Sequence, residues 1–477
     1  MDITLDPAAR APLGLQLADA IVSHIRGGAL RAGDRLPGQR TLAASLGVSR
    51  TTVVRAYEEL EAQGWTTGRE GAGTFVAQEM ELRTGPVSSG AMPAQPAFDV
   101  LRPGATALSR GVPDGAIVAN LAGGMPDLRT IPVEEISRAW RRAVRRDGQS
   151  LLGYGPPAGH PALREAIATL LRQSRGLRCG ASEVLVARGA QMCAYLAVRA
   201  LVQPGDVVAV EAYGYEAIWA VLRICGAHIV PIPVDDDGMD VDALAALCEQ
   251  RRVRAVYVTP HHQFPTMVVM SAARRIRLLN LARQHRFAIL EDDYDHEFHY
   301  EGRPVAPLAS TDTAGNVVYI GSLSKVLAPG LRTGYVAAPA GFIQTLSELR
   351  TLVDRQGDLP MEAALAELLD DGSVQRHVRR ARRIYRGRRA LFLDLLRDKL
   401  SDELRFAVPA GGLSVWAWTT LDARAWEARA RGRGVWVHAG WRFAQPGAAT
   451  GAMRLGFAAA NEEEIVAGVK LLADARP

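Results

Sequence analysis

Of the 56 lysine plus arginine residues in the chain, only three are lysines: Lys325, Lys399 and Lys470. Any chemistry that needs a primary amine therefore has three candidates. A lysine that forms a Schiff base must sit in a pocket, with its pKa lowered by desolvation or neighbouring positive charge. Lys399 lies in LFLDLLRDKLSDEL and Lys470 in EEEIVAGVKLLADA, both amphipathic helical settings that solvate a side chain. Lys325 follows the apolar run Val317–Ile320 within GSLSKVLAPGLRTGY. Ser322 and Ser324 precede it and Arg332 follows, the hydroxyls and guanidinium that a phosphate group needs. The plainer alternative is a lysine on a surface loop.

A pyridine-type cofactor also needs a carboxylate at its ring nitrogen, which keeps that nitrogen protonated and the ring an electron sink. Ala288–Leu290 reads as a buried strand running into Glu291, Asp292, Asp293, Tyr294 and Asp295. Acids at the carboxyl end of a parallel strand lie where α/β sheets bind ligands. Asp292 and Tyr294, two apart, share a side if the strand continues. Asp292 then suits the ring nitrogen and Tyr294 the phenolic oxygen. The rival reading is a calcium or magnesium site, but the glycines and ligand spacing of a calcium loop are absent, and no metal is expected. Gly189, Ala190 and Gln191 follow another apolar run and open a helix, a turn that offers backbone N–H groups to an anion. Tyr215 could stack on a flat ring or simply be core.

The elements that must position these groups alternate. Apolar runs at Val184–Ala187, Val207–Val210, His228–Ile232, Ala255–Thr259, Ala288–Leu290 and Val317–Ile320 are separated by helical patterns at Gln191–Leu201, Ala217–Cys225, Val241–Gln250 and Arg274–Gln284. Such alternation means an α/β unit with a mainly parallel sheet, over residues 116–477. From about Gly341 the pattern turns to a smaller α+β part. An arginine run, RHVRRARRIYRGRR from Arg376 to Arg389, reads most simply as a solvated helix face.

Residues 1–78 read differently. Leu13, Leu17, Ile21 and Ile25 recur at helical spacing, and Gln39–Leu46 forms a second short helix. Ser49 is the expected N-cap of a third helix, which Gly64 stops. Trp65–Val76, with Gly68, Gly71 and Gly73 among β-formers, reads as a two-stranded wing. A helix–turn–helix with a wing places its third helix in the DNA major groove. Arg50, Thr51, Thr52 and Arg55 lie on the outward side of that helix, and Arg40 opens the second. Charge alone does not argue for DNA, because residues 1–80 hold eight arginines against nine acids. Residues 79–115, rich in Pro, Gly, Ala and Ser, read as a linker.

The length of 477 residues fits about three units, and 48% apolar with 22% charged residues excludes a wholly disordered or fibrous chain. No apolar stretch is long enough to span a membrane, and the start lacks a signal-peptide pattern. Cys179, Cys193, Cys225 and Cys248 are scattered, which argues against disulfides or a cysteine metal site and makes the cytoplasm the expected location.

The string LPGQRTLAASLGVSRTTVVRAYEELEAQGW resembles the winged helix of GntR-type regulators. Residues 116–477 resemble the fold-type I aminotransferase module, through YGPPAGHPALREAIA, RGAQ, TPHHQFPT, AILEDDYDHEF, GSLSKVLAPGLRTGY and MRLGFA. Together they resemble MocR/GabR-type regulators, which join such a winged helix to an aminotransferase-like domain that binds pyridoxal 5′-phosphate. The resemblance implies that Lys325 forms the internal aldimine, Asp292 pairs with the pyridine nitrogen and Tyr294 contacts the phenolic oxygen. It places Gly189, Ala190, Gln191, Ser322, Ser324 and Arg332 around the phosphate, Tyr215 on the ring, His262 close to it, and Tyr154 at the phosphate of a partner subunit. Arg454 would receive the carboxylate of an amino-compound effector. Arg40, Ser49, Arg50, Thr51, Thr52, Arg55 and Gly73 would serve the interface with double-stranded DNA.

The resemblance further implies a head-to-tail homodimer and regulation through aldimine exchange at Lys325, with an amino compound or pyridoxal 5′-phosphate itself as the molecule sensed. Three departures lie near the effector space: Met267 stands where glycine is usual, Ala217 stands where members that bind γ-aminobutyrate carry arginine, and Leu413-Ser414 follows the Gly411-Gly412 pair where a histidine is common. The alternatives are an active aminotransferase with a fused DNA-binding unit, and a DNA-binding module whose large domain is a dimerisation scaffold.

Overall fold

The computed structural model describes residues 1, 3–78, 94–96, 98–100 and 117–477. The linker expected over 79–115 lies outside the described residues, apart from the two short stretches just named. The chain divides into two compact units, Met1–Leu101 and Arg102–Pro477.

In the first unit α1 spans Leu13–Arg26, α2 Gln39–Leu46 and α3 Arg50–Ala62. Leu17, Ile21, Leu42, Val53, Tyr57 and Leu60 come from all three helices and form one buried core. Gly47, at φ 66°, ends α2 in the left-handed conformation that glycine adopts without strain. Ser49 caps α3 as expected, its Oγ accepting from the Thr52 amide at 3.1 Å. The wing consists of β1 (Thr66–Arg69) and β2 (Gly73–Val76), paired antiparallel.

The second unit is built on a seven-stranded sheet. Its strands are β3 (Val184–Ala187), β4 (Val207–Glu211), β5 (His228–Ile232), β6 (Val253–Val258), β7 (Ala288–Asp293), β8 (Val317–Ser322) and β9 (Gly334–Ala337). They lie in the order β3-β9-β8-β7-β6-β4-β5, and only β9 runs antiparallel to its neighbours. Apart from the edge strand β5, whose residues are mostly exposed or half-buried, the strands are buried on both faces, which explains why they read as continuous apolar runs rather than as an alternation. β7 extends three residues beyond the apolar run, because Glu291, Asp292 and Asp293 pair in register with Tyr319, Ile320 and Gly321 of β8.

The C-terminal part is α+β, as expected. A four-stranded sheet holding Ser414–Trp418, His438–Ala439 and Ala452–Gly456 packs with helices around a core that includes Trp426, Phe392 and Phe457. The arginine run is a correction. The helix Ser373–Leu400 does expose much of it, but Arg388 and Arg389 are buried. Arg388 Nη1 donates to Asp127 Oδ2 at 2.9 Å and to the Ala458 carbonyl, while Arg389 pairs with Glu301. Periodicity could not show this, because the acids that neutralise the two guanidinium groups are distant in sequence. Among the described residues no helix is long and apolar enough to cross a membrane.

Candidate functional site

The carboxyl ends of β3, β4, β6, β7 and β8 open onto one cavity of about 330 Å³. Ala190, Gln191, Tyr215, Asp292, Tyr294, Ser322, Ser324, Lys325, Arg332 and Arg454 all line it. Residues separated by more than 260 positions thus meet where open α/β sheets present their ligand crevice.

Lys325 follows β8 and is half-buried, with its exposed surface facing the cavity. Burial, with Arg454 and Arg332 adding positive charge, lowers its pKa to about 8. An amine in this range carries a useful neutral fraction near pH 7, as a nucleophile requires. Asp292 lies at the end of β7. Its Oδ2 accepts from Tyr257 Oη at 2.7 Å, and its Oδ1 is buried without a partner. Burial raises the Asp292 pKa to about 7, against the lowering effect of the Tyr257 hydrogen bond. Tyr294 Oη donates to the His262 carbonyl at 3.0 Å.

The other end of the cavity is an anion cradle. Gly189, at φ 81°, turns the chain into the helix α4 (Ala190–Leu201), whose first N–H groups have no intrahelical partner. The Arg332 guanidinium lies against Gly189, where an added Cβ would come within 3.0 Å of Nη2. Gly334 of β9 leaves no room for a side chain, because its Cβ would collide with the Gly189–Ala190 backbone. The Ser324 amide donates to Ser322 Oγ at 3.1 Å, so the two serines form one turn. An anion facing these groups meets helix N–H groups, hydroxyls and a guanidinium together.

Arg454 is buried on the strand Ala452–Gly456, with Cζ 4.4 Å from the centre of the Phe264 ring. Gly123 and Gly124, at φ 83° and 73°, pass so close to it that a Cβ on Gly124 would lie 2.8 Å from Nη2. Gly456 of the same strand donates its N–H to the Leu121 carbonyl at 2.8 Å. Sequence reasoning missed Gly123, Gly124, Tyr257, Phe264, Trp436, His438 and Phe443, which also line the cavity. The Gly-Gly pair just beyond residue 120 was the available signal, since adjacent glycines mark close backbone approach.

Three expected residues lie outside this lining. Gly189 stands behind Arg332, as described. His262 turns away from the cavity, its Nδ1 at 2.7 Å from Asp295 Oδ1. Tyr154 is 82% exposed, with Arg355 stacked over its ring at 4.1 Å. The three departures are also placed, and Leu413 and Ser414 are both buried, with Ser414 Oγ 3.7 Å from Met267 Sδ. Met267 adopts φ 65°, a left-handed conformation that favours glycine, and its Sδ occupies the space beside Gly412. Ala217 is buried in the helix Glu216–Ile224 and does not line the cavity.

In the first unit Arg40, Ser49, Arg50, Thr51 and Arg55 are exposed and Thr52 is half-buried. Ser49 and Thr52 are engaged in the cap, with their hydroxyls 2.8 Å apart, so they fix the start of α3. Gly73 has φ 113°, and a Cβ there would lie 3.0 Å from Arg35 Nε.

The residues present fit a pyridoxal-type cofactor: an unpartnered buried carboxylate oxygen, an amine of lowered pKa and an anion cradle face one space. Comparisons with known proteins agree. The family described as aminotransferase class I and II matches residues 116–472, and the gntR family of bacterial regulatory proteins matches residues 13–76. The chain is 34% identical to the probable rhizopine catabolism regulatory protein MocR of Rhizobium meliloti, over 91% of this chain and 87% of that protein. It is 31% identical to the pyridoxine biosynthesis transcriptional regulator PdxR of Corynebacterium glutamicum, over 85% and 83%. Among solved structures, a kynurenine aminotransferase of Pyrococcus horikoshii in complex with PMP superposes with a TM-score of 0.71 at 29% identity. That match covers 76% of this chain and 91% of the enzyme.

Proposed function

Because the chain belongs to the aminotransferase class I and II family and carries a gntR-family DNA-binding unit, as MocR and PdxR regulators do, we propose that it senses an amino compound at Lys325. It is a pyridoxal 5′-phosphate-dependent transcription regulator. The observation that carries the sensing role is the convergence of Lys325, the free Asp292 Oδ1 and Arg454 on one cavity.

When bound, pyridoxal 5′-phosphate supplies an aldehyde on which primary amines exchange and a ring that withdraws electrons. Lys325 Nζ is the chain's own amine there, and its lowered pKa favours the neutral form. Asp292 Oδ1 would accept the ring N–H, while Tyr257 keeps the carboxylate oriented. Tyr294 would face the phenolic oxygen and Tyr215 the ring. The start of α4, Ser322, Ser324 and Arg332 would hold the phosphate, joined by Tyr154 of a second copy in a head-to-tail homodimer. Arg454 would bind an effector carboxylate as a bidentate pair, gripping it by geometry as well as charge.

Effector binding alters regulation only through its differential affinity for two states of the protein. DNA is read by the first unit, with Arg40, Arg50, Thr51 and Arg55 as the side chains available to phosphates and bases. The cytoplasm is the proposed location. The test is an absorbance spectrum of the purified chain, followed by titration with a panel of amines and measurement of operator affinity. One amine that shifts both the spectrum and the affinity supports the reading. A chain that stays colourless with the cofactor, or a borohydride-fixed label on a residue other than Lys325, overturns it.

A second reading is an aminotransferase with a fused DNA-binding unit, favoured by the complete set of amine-handling groups in the cavity. Multiple turnovers to a keto acid with a physiological amine would establish it.

A further inference from the structure

Outside the lining of the cavity, four histidines are packed together. His261 and His262 follow β6, and His296 and His299 follow β7; all four are buried. Both ring nitrogens of His261, Nε2 of His262 and Nδ1 of His299 have no hydrogen-bond partner. A buried nitrogen without a partner carries an uncompensated desolvation cost, so a cluster of them calls for an occupant. His262 already has the supporting bond of a metal ligand: its Nδ1–H donates to Asp295 Oδ1 at 2.7 Å, leaving Nε2 free.

We propose that His261, His262 and His299 bind a divalent transition metal ion, with zinc the best match. One ligand atom from each lies within 4.8 Å of the others. A tetrahedral zinc with bonds near 2.0–2.1 Å needs nitrogens about 3.3 Å apart, so the rings must close by at most roughly 1.5 Å. Three imidazoles suit zinc, copper, iron or nickel rather than magnesium or calcium. A second triad, His261, Asp293 and His296, is also close enough. There, however, Asp293 Oδ2 accepts from Tyr319 Oη at 2.7 Å and lies 2.9 Å from His296 Nδ1, so that histidine is already paired and only Oδ1 of the carboxylate is without a partner. In the first set each ring keeps at least one nitrogen without a partner: either nitrogen of His261, Nε2 of His262 and Nδ1 of His299. An ion there would tie the chain after β6 to the chain after β7.

The test uses the full chain without added histidines, stripped with a chelator and titrated with Co²⁺ and then Zn²⁺. The expected result is saturable uptake of one Co²⁺ per chain, with the intense visible absorption of a low-coordinate site that Zn²⁺ then displaces. His261→Ala and His299→Ala should each weaken uptake at least about tenfold, in line with the loss of a ligand. Lys325→Ala should still take up Co²⁺, which separates this site from the proposed sensing site. Absence of saturable uptake by the unmodified chain overturns the proposal. So does uptake that persists in the double variant, and so does an octahedral, weakly absorbing Co²⁺ spectrum.

Discussion

Two ionisable groups set the pH response of the cavity. The Lys325 amine must be neutral to condense with an aldehyde, and burial beside Arg454 and Arg332 lowers its pKa to about 8. The rate at which the stripped chain takes up the cofactor aldehyde should therefore rise with pH and level off near 8. An unperturbed lysine would level off near 10.5. Arg454→Ala removes a nearby positive charge, so the plateau should move to higher pH in stopped-flow absorbance. Asp292 behaves in the opposite sense. Without a cofactor, burial raises its carboxyl to about 7 and favours the neutral acid. Only the ionised form can accept the charged ring N–H strongly, so equilibrium affinity for the cofactor should fall as the pH drops below about 7. Asp292→Asn should abolish that limb. It should also weaken binding about 10- to 100-fold, from the loss of a charge-assisted hydrogen bond of about 1.5–3 kcal/mol.

Individual elements hold the site through close backbone approach, and there glycine is required by space. Gly334→Ala drives a methyl into the Gly189–Ala190 backbone and displaces the start of α4. Phosphate affinity should be lost while the winged unit still binds DNA, as inorganic phosphate competition and gel shifts would show. In the wing, Gly73→Ala combines a φ of 113° with a contact to Arg35, at a cost of about 1–3 kcal/mol. Its melting transition should fall, and operator affinity with it. Arg50→Ala should reduce the slope of log affinity against log salt by about one, if Arg50 meets a phosphate.

These elements also mark the limits of what the sequence revealed. The strands of the large sheet and α1 to α3 were legible because apolar period and turn residues point to one answer. Lys325 and Asp292 were legible because each follows an apolar strand at the crevice. The pairing of Arg388 with Asp127 was not legible, because it joins residues 261 positions apart. The orientation of His262 depended on Asp295, which reads in sequence as one more acid of a cluster. Tyr257 reads as a core strand residue, and only the β6–β7 pairing brings its hydroxyl to Asp292.

At the scale of the whole molecule, the proposed sensing role puts effector and operator on one equilibrium, so each should change the other's affinity by the same factor. With a coupling of about 1–3 kcal/mol, an active amine should change operator affinity about 5- to 150-fold. Fluorescence anisotropy with labelled operator, repeated with amine titrated in the presence of DNA, should return equal factors. Lys325→Ala should set both to one. A large unit acting only as a scaffold would leave them unchanged. The strand that carries Arg454 is stitched to Leu121 through Gly456, and the guanidinium rests on Gly123 and Gly124. These residues lie near the start of the described part of the large unit, which opens at residue 117. A carboxylate bound at that guanidinium would therefore pull on residues 121–124 as well as on its own strand, so Gly124→Ala should disturb carboxylate binding and the Leu121 pairing together.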